Sequence, residues 1–172
     1  MKWNTSSKEF ENFLKFERNL SENTISSYLA DLKKLIDYLR LKNINYNPNQ
    51  ISTDLIREFL YSQSKKIKSS TQGRLISSLN LFFDFMILEK IIVENPLEKI
   101  DYPKIGTSIP TTLTTTEIDS LIAEAGLNKN NGLRNETIIE VLYSCGLRVS
   151  ELINLKISDL FLDENLIKVL GK

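Results

Sequence analysis

The chain has 172 residues, 41% of them hydrophobic and 26% charged, with 22 basic and 22 acidic residues and a formal net charge of zero. This is a globular composition with room for one ordinary domain or two small ones. There is no histidine and a single cysteine, Cys145. These residues therefore cannot supply a histidine general base, a Ser-His-Asp triad, a His- or Cys-rich metal site or a disulfide framework.

In chain order, the first stretch, MKWNTSSKEFENF, has no uninterrupted apolar region of the secretory kind. No apolar run anywhere approaches the roughly 20 residues that cross a bilayer. With one cysteine, the expectation is a cytoplasmic protein without membrane contact. Residues 8–17 place Phe10, Phe13 and Leu14 on one helical face. Ser21 is a good N-cap for a long second helix, in which Ile25, Tyr28, Leu29, Leu32, Leu35, Ile36 and Leu39 follow i, i+3, i+4, i+7 spacing. That helix is expected to end near Asn43. Ser52 caps a third helix through Leu55, Ile56, Phe59 and Leu60. A fourth begins near Ser69–Ser70, with Leu75, Leu79, Phe82, Phe83 and Met86 facing inward. Four amphipathic helices joined by short loops predict a small bundle over 1–100.

From Asn95 to Thr112 the pattern breaks, in NPLEKIDYPKIGTSIPTT, which holds three of the four prolines. It reads as an extended linker, centred on 101–113. A second domain is expected over 114–172. Thr114–Thr116 cap a helix carrying Ile118, Leu121 and Ile122, with Glu117 in its first turn. The next helix, about 133–144, is expected to bury Ile138, Val141, Leu142, Cys145 and also Tyr143. After Leu155, DLFLDENLIKVLGK reads as a strand, a turn at Asp163–Glu164–Asn165, and a second strand through Ile167 and Val169.

Between these elements lies SCGLRVSELINL, in which Gly146 closes one helix and Arg148 stands at the start of the next. A cation is disfavoured at that end of a helix by about 0.3–1 kcal/mol. Glu151, three residues on, shares its face and offsets part of that cost. On spacing alone, a surface ion pair is commoner than a site, by roughly tenfold. The other reading is an arginine fixed by a carboxylate and aimed at an anion, since a guanidinium grips phosphate oxygens in pairs.

These segments resemble one family. LYSCGLRVSELINLKISDL is similar to the first catalytic-arginine segment of the tyrosine recombinases, Xer-type chromosome-dimer resolvases and integrases among them. RNLSENTISSYLADL at 18–32 resembles the start of the second helix of that family's DNA-clamping domain. SSTQGRLISSLNLFFDFMILEKIIVENPLEKIDYPKI at 69–105 resembles its fourth helix and linker, and IPTTLTTTEIDSLI at 109–122 the entry to its catalytic domain. The resemblance implies a mainly α protein: a four-helix, SAM-like clamp followed by the first part of an α+β catalytic domain that stops within a β-hairpin.

It also implies roles. Arg148 binds the scissile phosphate, Glu151 supports it, and Lys172 is the hairpin lysine acting as general acid for the leaving 5′-oxygen. Asn23 and Thr24 meet the DNA backbone, Thr71, Arg74 and Ser78 form a polar face on the fourth helix, and Lys104 tracks DNA from the linker. The family's His-x-x-Arg pair and tyrosine nucleophile have no counterpart among these residues, so a fragment that binds but does not cleave DNA is expected. In the whole enzyme the resemblance implies a 3′-phosphotyrosyl intermediate and neither metal nor other cofactor. The implied partners are duplex DNA, a paired recombinase within a tetramer and, for Xer types, a septal DNA translocase. A non-catalytic DNA-binding protein, a mobile-element integrase and a helical protein-interaction module are the alternatives, the zero net charge favouring the last.

Overall fold

The structure is a computed structural model and describes residues 2–104, 106 and 110–169. Lys172 lies outside them. The chain divides into two compact units, Met1–Thr107 and Ser108–Lys172. Among the described residues it is mainly helical, with one small antiparallel sheet. No helix in them is long and apolar enough to cross a membrane.

The first unit is built from α1 (Trp3–Asn12), α2 (Glu22–Leu41), α3 (Thr53–Ser64) and α4 (Ser69–Leu88). Helix α1 starts five residues earlier than its apolar period suggests, because Trp3 is itself an anchor. Its ring lies 6.0 Å from that of Phe82, and its Nε1–H donates to the Tyr46 carbonyl at 2.8 Å. The chain leaves α1 through a π-turn at Phe13–Glu17 that keeps Phe13 and Leu14 inside. Ser21 and Ser52 cap α2 and α3 as their positions require, accepting from the Thr24 and Leu55 N–H groups.

Phe10, Phe82, Phe83, Leu35, Ile56, Leu75, Leu79 and Met86 are fully buried and make one core. Its centre is aromatic: Phe82 meets Phe10 and Phe83 edge to face, each at 5.2 Å. Residues 95–100, past the break in the helical pattern, fold onto the bundle. Leu97 is buried, and Asn95 Nδ2 donates to Asn80 Oδ1 (2.8 Å) and Asp84 Oδ1 (2.6 Å).

The second unit holds α5 (Thr115–Gly126), α6 (Gly132–Cys145), α7 (Val149–Ile153) and the strands β1 (Leu160–Phe161) and β2 (Leu166–Ile167). A capping box opens α5: Thr114 N–H donates to Glu117 Oε2 at 2.7 Å, and Glu117 N–H to Thr114 Oγ1 at 3.3 Å. Helices α5 and α6 meet closely at Gly132, where a Cβ would overlap the Gly126 carbonyl oxygen.

Here the expected burial is not found. Ile138, Tyr143 and Cys145 are exposed, and Val141 and Leu142 only half-buried. Helices α5 and α6 pack against each other, and among the described residues their other faces stay largely exposed. The hairpin is also shorter than its alternation suggests. Its pairs are Leu160–Ile167 and Phe161–Leu166, separated by a 3-10 turn and by Asn165 in the left-handed region at φ 54°. Val169 lies outside β2.

The ring cluster yields a stability prediction. Phe82→Ala should cost the first unit about 3–5 kcal/mol in urea unfolding followed by circular dichroism. A loss below about 1 kcal/mol would mean that the cluster is not its core.

Candidate active site and nucleic-acid interface

Arg148 stands immediately before α7, with extended backbone dihedrals (φ −75°, ψ 153°). Gly146, at φ 62°, turns the chain out of α6 in the conformation that glycine adopts without strain. Glu151 reaches back to Arg148 with both oxygens. The Arg148 backbone N–H donates to Oε2 and its Nη1 to Oε1, each at 2.7 Å.

One carboxylate thus satisfies the helix start and orients the guanidinium. The Glu151 side chain is 13% exposed and that of Arg148 72%. Helix α7 has only five residues, so its dipole is small, and it is the carboxylate that lets a cation stand there. The backbone N–H of Arg148, followed by its side chain, holds the Glu151 carboxyl below the usual glutamate range.

Beside this pair is a cleft of about 660 Å³, lined by Arg148, Glu151, Lys156, Asp159 and Lys168 among others. With the acids ionised, these five side chains sum to a net charge of +1. Lys168 is brought in by the hairpin, where its N–H donates to the Asp159 carbonyl at 2.9 Å. Sequence reading missed both cleft lysines, since no spacing relates them to Arg148. The only available signal was that DEN turn, which folds residue 168 back toward residue 159.

In the first unit, Asn23 is exposed and Thr24 half-buried at the start of α2, where Thr24 Oγ1 lies 2.9 Å from Ser21 Oγ. On α4, Thr71 is half-buried and the Arg74 side chain is 41% exposed. Ser78 does not belong to the exposed polar face expected for it. It is 1% exposed, with Oγ 3.0 Å from both Asp31 Oδ2 and the Leu75 carbonyl.

The cause is Asp31, which has no exposure although it sits mid-helix on α2. Arg74 grips it with Nη1 to Oδ2 at 2.6 Å and Nη2 to Oδ1 at 3.2 Å, and Lys34 Nζ reaches Oδ1 at 2.8 Å. Lys104 is exposed, and two residues before it the Tyr102 hydroxyl accepts from Ser77 Oγ at 3.3 Å. Asp31 also escaped the sequence reading, although it falls inside the apolar stripe between Tyr28 and Leu35. Among the described residues, no cluster of three or more acidic, histidine or cysteine side chains is placed to hold a metal ion.

Comparison with known proteins covers both units. The model of the phage integrase N-terminal SAM-like domain matches residues 8–90, and that of the phage integrase family matches residues 111–172. Tyrosine recombinase XerD of Staphylococcus epidermidis is 35% identical over 173 residues, covering 98% of this chain and 57% of that protein. XerD of Oceanobacillus iheyensis is 39% identical over 165 residues, covering 95% and 55%. The chain therefore spans little more than half the length of these curated relatives.

Among solved structures, a lambda integrase dimer bound to a COC' core site superposes with a TM-score of 0.72 at 18% identity, over 99% of this chain and 48% of that one. The XerH site-specific recombinase bound to its difH substrate gives 0.64 at 22%, over 96% and 51%. At these identities the structural likeness establishes the fold.

The Arg148–Glu151 geometry carries its own test. Glu151 should titrate below ordinary glutamate when its carboxyl carbon is followed by NMR. Because its folded value is lowered, the stabilisation is present above the unfolded value and lost as pH falls through the folded one. Arg148→Ala should move the midpoint only partway back, since the backbone N–H remains. A midpoint at or above that of ordinary glutamate would contradict the geometry.

Proposed function

The chain belongs to the phage integrase family of tyrosine recombinases, and from that premise we propose that it carries the DNA clamp and the phosphate-binding arginine of a site-specific recombinase of the chromosome-dimer-resolving kind. The observation that carries this is Arg148: largely exposed, tied through Nη1 to Glu151, and beside a cleft with two further cations. Among the described residues its Nε–H and Nη2–H groups have no protein acceptor, so they are available to the non-bridging oxygens of a phosphate.

Catalysis of phosphoryl transfer rests on such preset donors, aimed where charge grows in the transition state. Glu151, ionised at neutral pH, holds the guanidinium in place and contributes no chemistry of its own. Lys156 and Lys168 raise the local positive potential, and Lys172 takes the part of the general acid for the leaving 5′-oxygen.

The clamp residues Asn23, Thr24, Thr71, Arg74 and Lys104 meet duplex DNA, chiefly its backbone. Ser78 acts beneath Arg74 rather than on DNA. The enzyme works in the cytoplasm on the nucleoid, paired with a second recombinase within a tetramer and served by a septal DNA translocase. It needs no metal or nucleotide, and its intermediate is a 3′-phosphotyrosyl link.

The 172 residues bind DNA without cleaving it, because none of their tyrosines accompanies a His-x-x-Arg pair. Resolution of chromosome dimers, rather than movement of a mobile element, is favoured by the XerD relatives. The zero net charge favours the rival reading of a helical protein-interaction module.

Two measurements separate these readings. Duplex affinity followed by fluorescence anisotropy should fall roughly 10²–10³-fold between 50 and 200 mM salt if about five phosphates are contacted. Absence of any salt-dependent binding would favour the interaction module. On a nicked suicide duplex the 172-residue chain should form no covalent adduct, and an adduct would show that one of its own tyrosines is the nucleophile.

A further inference from the structure

Arg74 is usually the sort of residue whose DNA role is read from exposure alone, yet here one side of its guanidinium is already committed. Its Nη1 donates to Asp31 Oδ2 at 2.6 Å and lies 3.4 Å from the Ser27 carbonyl, while one Nη2–H donates to Asp31 Oδ1 at 3.2 Å. A guanidinium has five N–H donors in a rigid plane. Among the described residues, the Nε–H and the second Nη2–H have no acceptor. Those two lie in the plane along one edge and form a parallel pair, which matches two acceptor atoms spaced like phosphate oxygens or like guanine O6 and N7.

Asp31 is suited to hold the other side. It is wholly buried and cannot swing away with solvent, and Ser78 Oγ and Lys34 Nζ fix its two oxygens at 3.0 and 2.8 Å. Counting Asp31, Arg74 and Lys34, the cluster keeps a net charge of +1, so the acid does not cancel the attraction for DNA. Fixing a long side chain in advance also removes part of the ordering cost of binding.

We propose that Asp31 is a positioning residue for DNA binding, holding Arg74 so that its Nε–H/Nη2–H edge meets a paired acceptor on the duplex. This rests on the DNA-binding reading above. It makes a prediction opposite to that of simple electrostatics. Removing a buried negative charge beside a DNA contact should tighten binding if charge alone matters. If Asp31 positions Arg74, removing it should weaken binding.

The test is a double-mutant cycle on the 172-residue chain: wild type, Asp31→Asn, Arg74→Gln and the double variant, titrated into duplex DNA at one salt concentration. Asp31→Asn is expected to weaken binding about tenfold alone and by less than about twofold in the Arg74→Gln background. Tighter or unchanged binding by Asp31→Asn, or an equal loss in both backgrounds, would overturn the proposal.

Two duplexes identify the acceptor. An Arg74→Gln loss that is uniform on A·T-only and G·C-containing DNA marks phosphate, whereas one confined to G·C-containing DNA marks guanine. Should Asp31→Asn not fold, the Arg74 Nε–H resonance of the wild type gives a second readout. It should shift on adding duplex, and a resonance unmoved at saturation would sink the proposal. If wild type binds no duplex at all, the DNA-binding reading fails with it. If wild type binds and Arg74→Gln binds equally well, only this inference fails.

Discussion

A carboxylate with no access to water dominates the arrangement of the first unit. Desolvating Asp31 costs several kcal/mol even after the surroundings relax, and the bundle can contain it only where donors converge. Arg74 and Ser78 come from α4 and Lys34 from α2 itself, and together they occupy both oxygens. Apolar residues of similar volume would pack a stable bundle as well. What the acid adds is register, because α2 and α4 cannot slide or rotate against each other without taking the Arg74 and Ser78 donors away from it. The aromatic core around Phe82 supplies the bulk of the burial, and Asp31 fixes which faces of the two helices meet.

The second unit repeats the device at the surface. Glu151 gives one oxygen to a backbone N–H and the other to a guanidinium, so the start of α7 and the direction of Arg148 are set together. In both units an arginine is held on one side by an acid and keeps donors to spare on the other. The settings differ in consequence. Asp31 is sealed in a core, and losing its partner there leaves a buried charge. Glu151 lies at the edge of a cleft, where water can replace a lost partner, so changes at Arg148 cost the fold less.

Much of this was legible in the sequence, and the exceptions share a cause. The four helices of the first unit follow from apolar spacing and from the Ser21 and Ser52 caps, both local signals. The early start of α1 and the folding back of residues 95–100 depend on Trp3 meeting Phe82 and Asn95 meeting Asp84, contacts between distant positions. In the second unit, the caps at Thr114 and Gly146 were readable, whereas burial was not. The apolar residues of α6 carry a helical pattern, but a pattern cannot tell whether a covering layer is present. The pairing of Arg148 with Glu151 was legible because they lie three residues apart, while its reading as a site came from the resemblance of that segment to the recombinase arginine segment. Lys156, Lys168 and Asp31 escaped because their partners come from elsewhere in the chain, and Ser78 was misplaced for the same reason.

The central claim is that both units of this chain carry DNA contacts, the first through the starts of α2 and α4 and the second through Arg148. Amide hydrogen exchange with and without saturating duplex tests it most directly. Slowed exchange is expected at 22–25, at 70–75 and at 148–152, with the α5 segment unchanged. Protection confined to the first unit would leave Arg148 as a surface ion pair. Protection in neither unit would contradict the account as a whole.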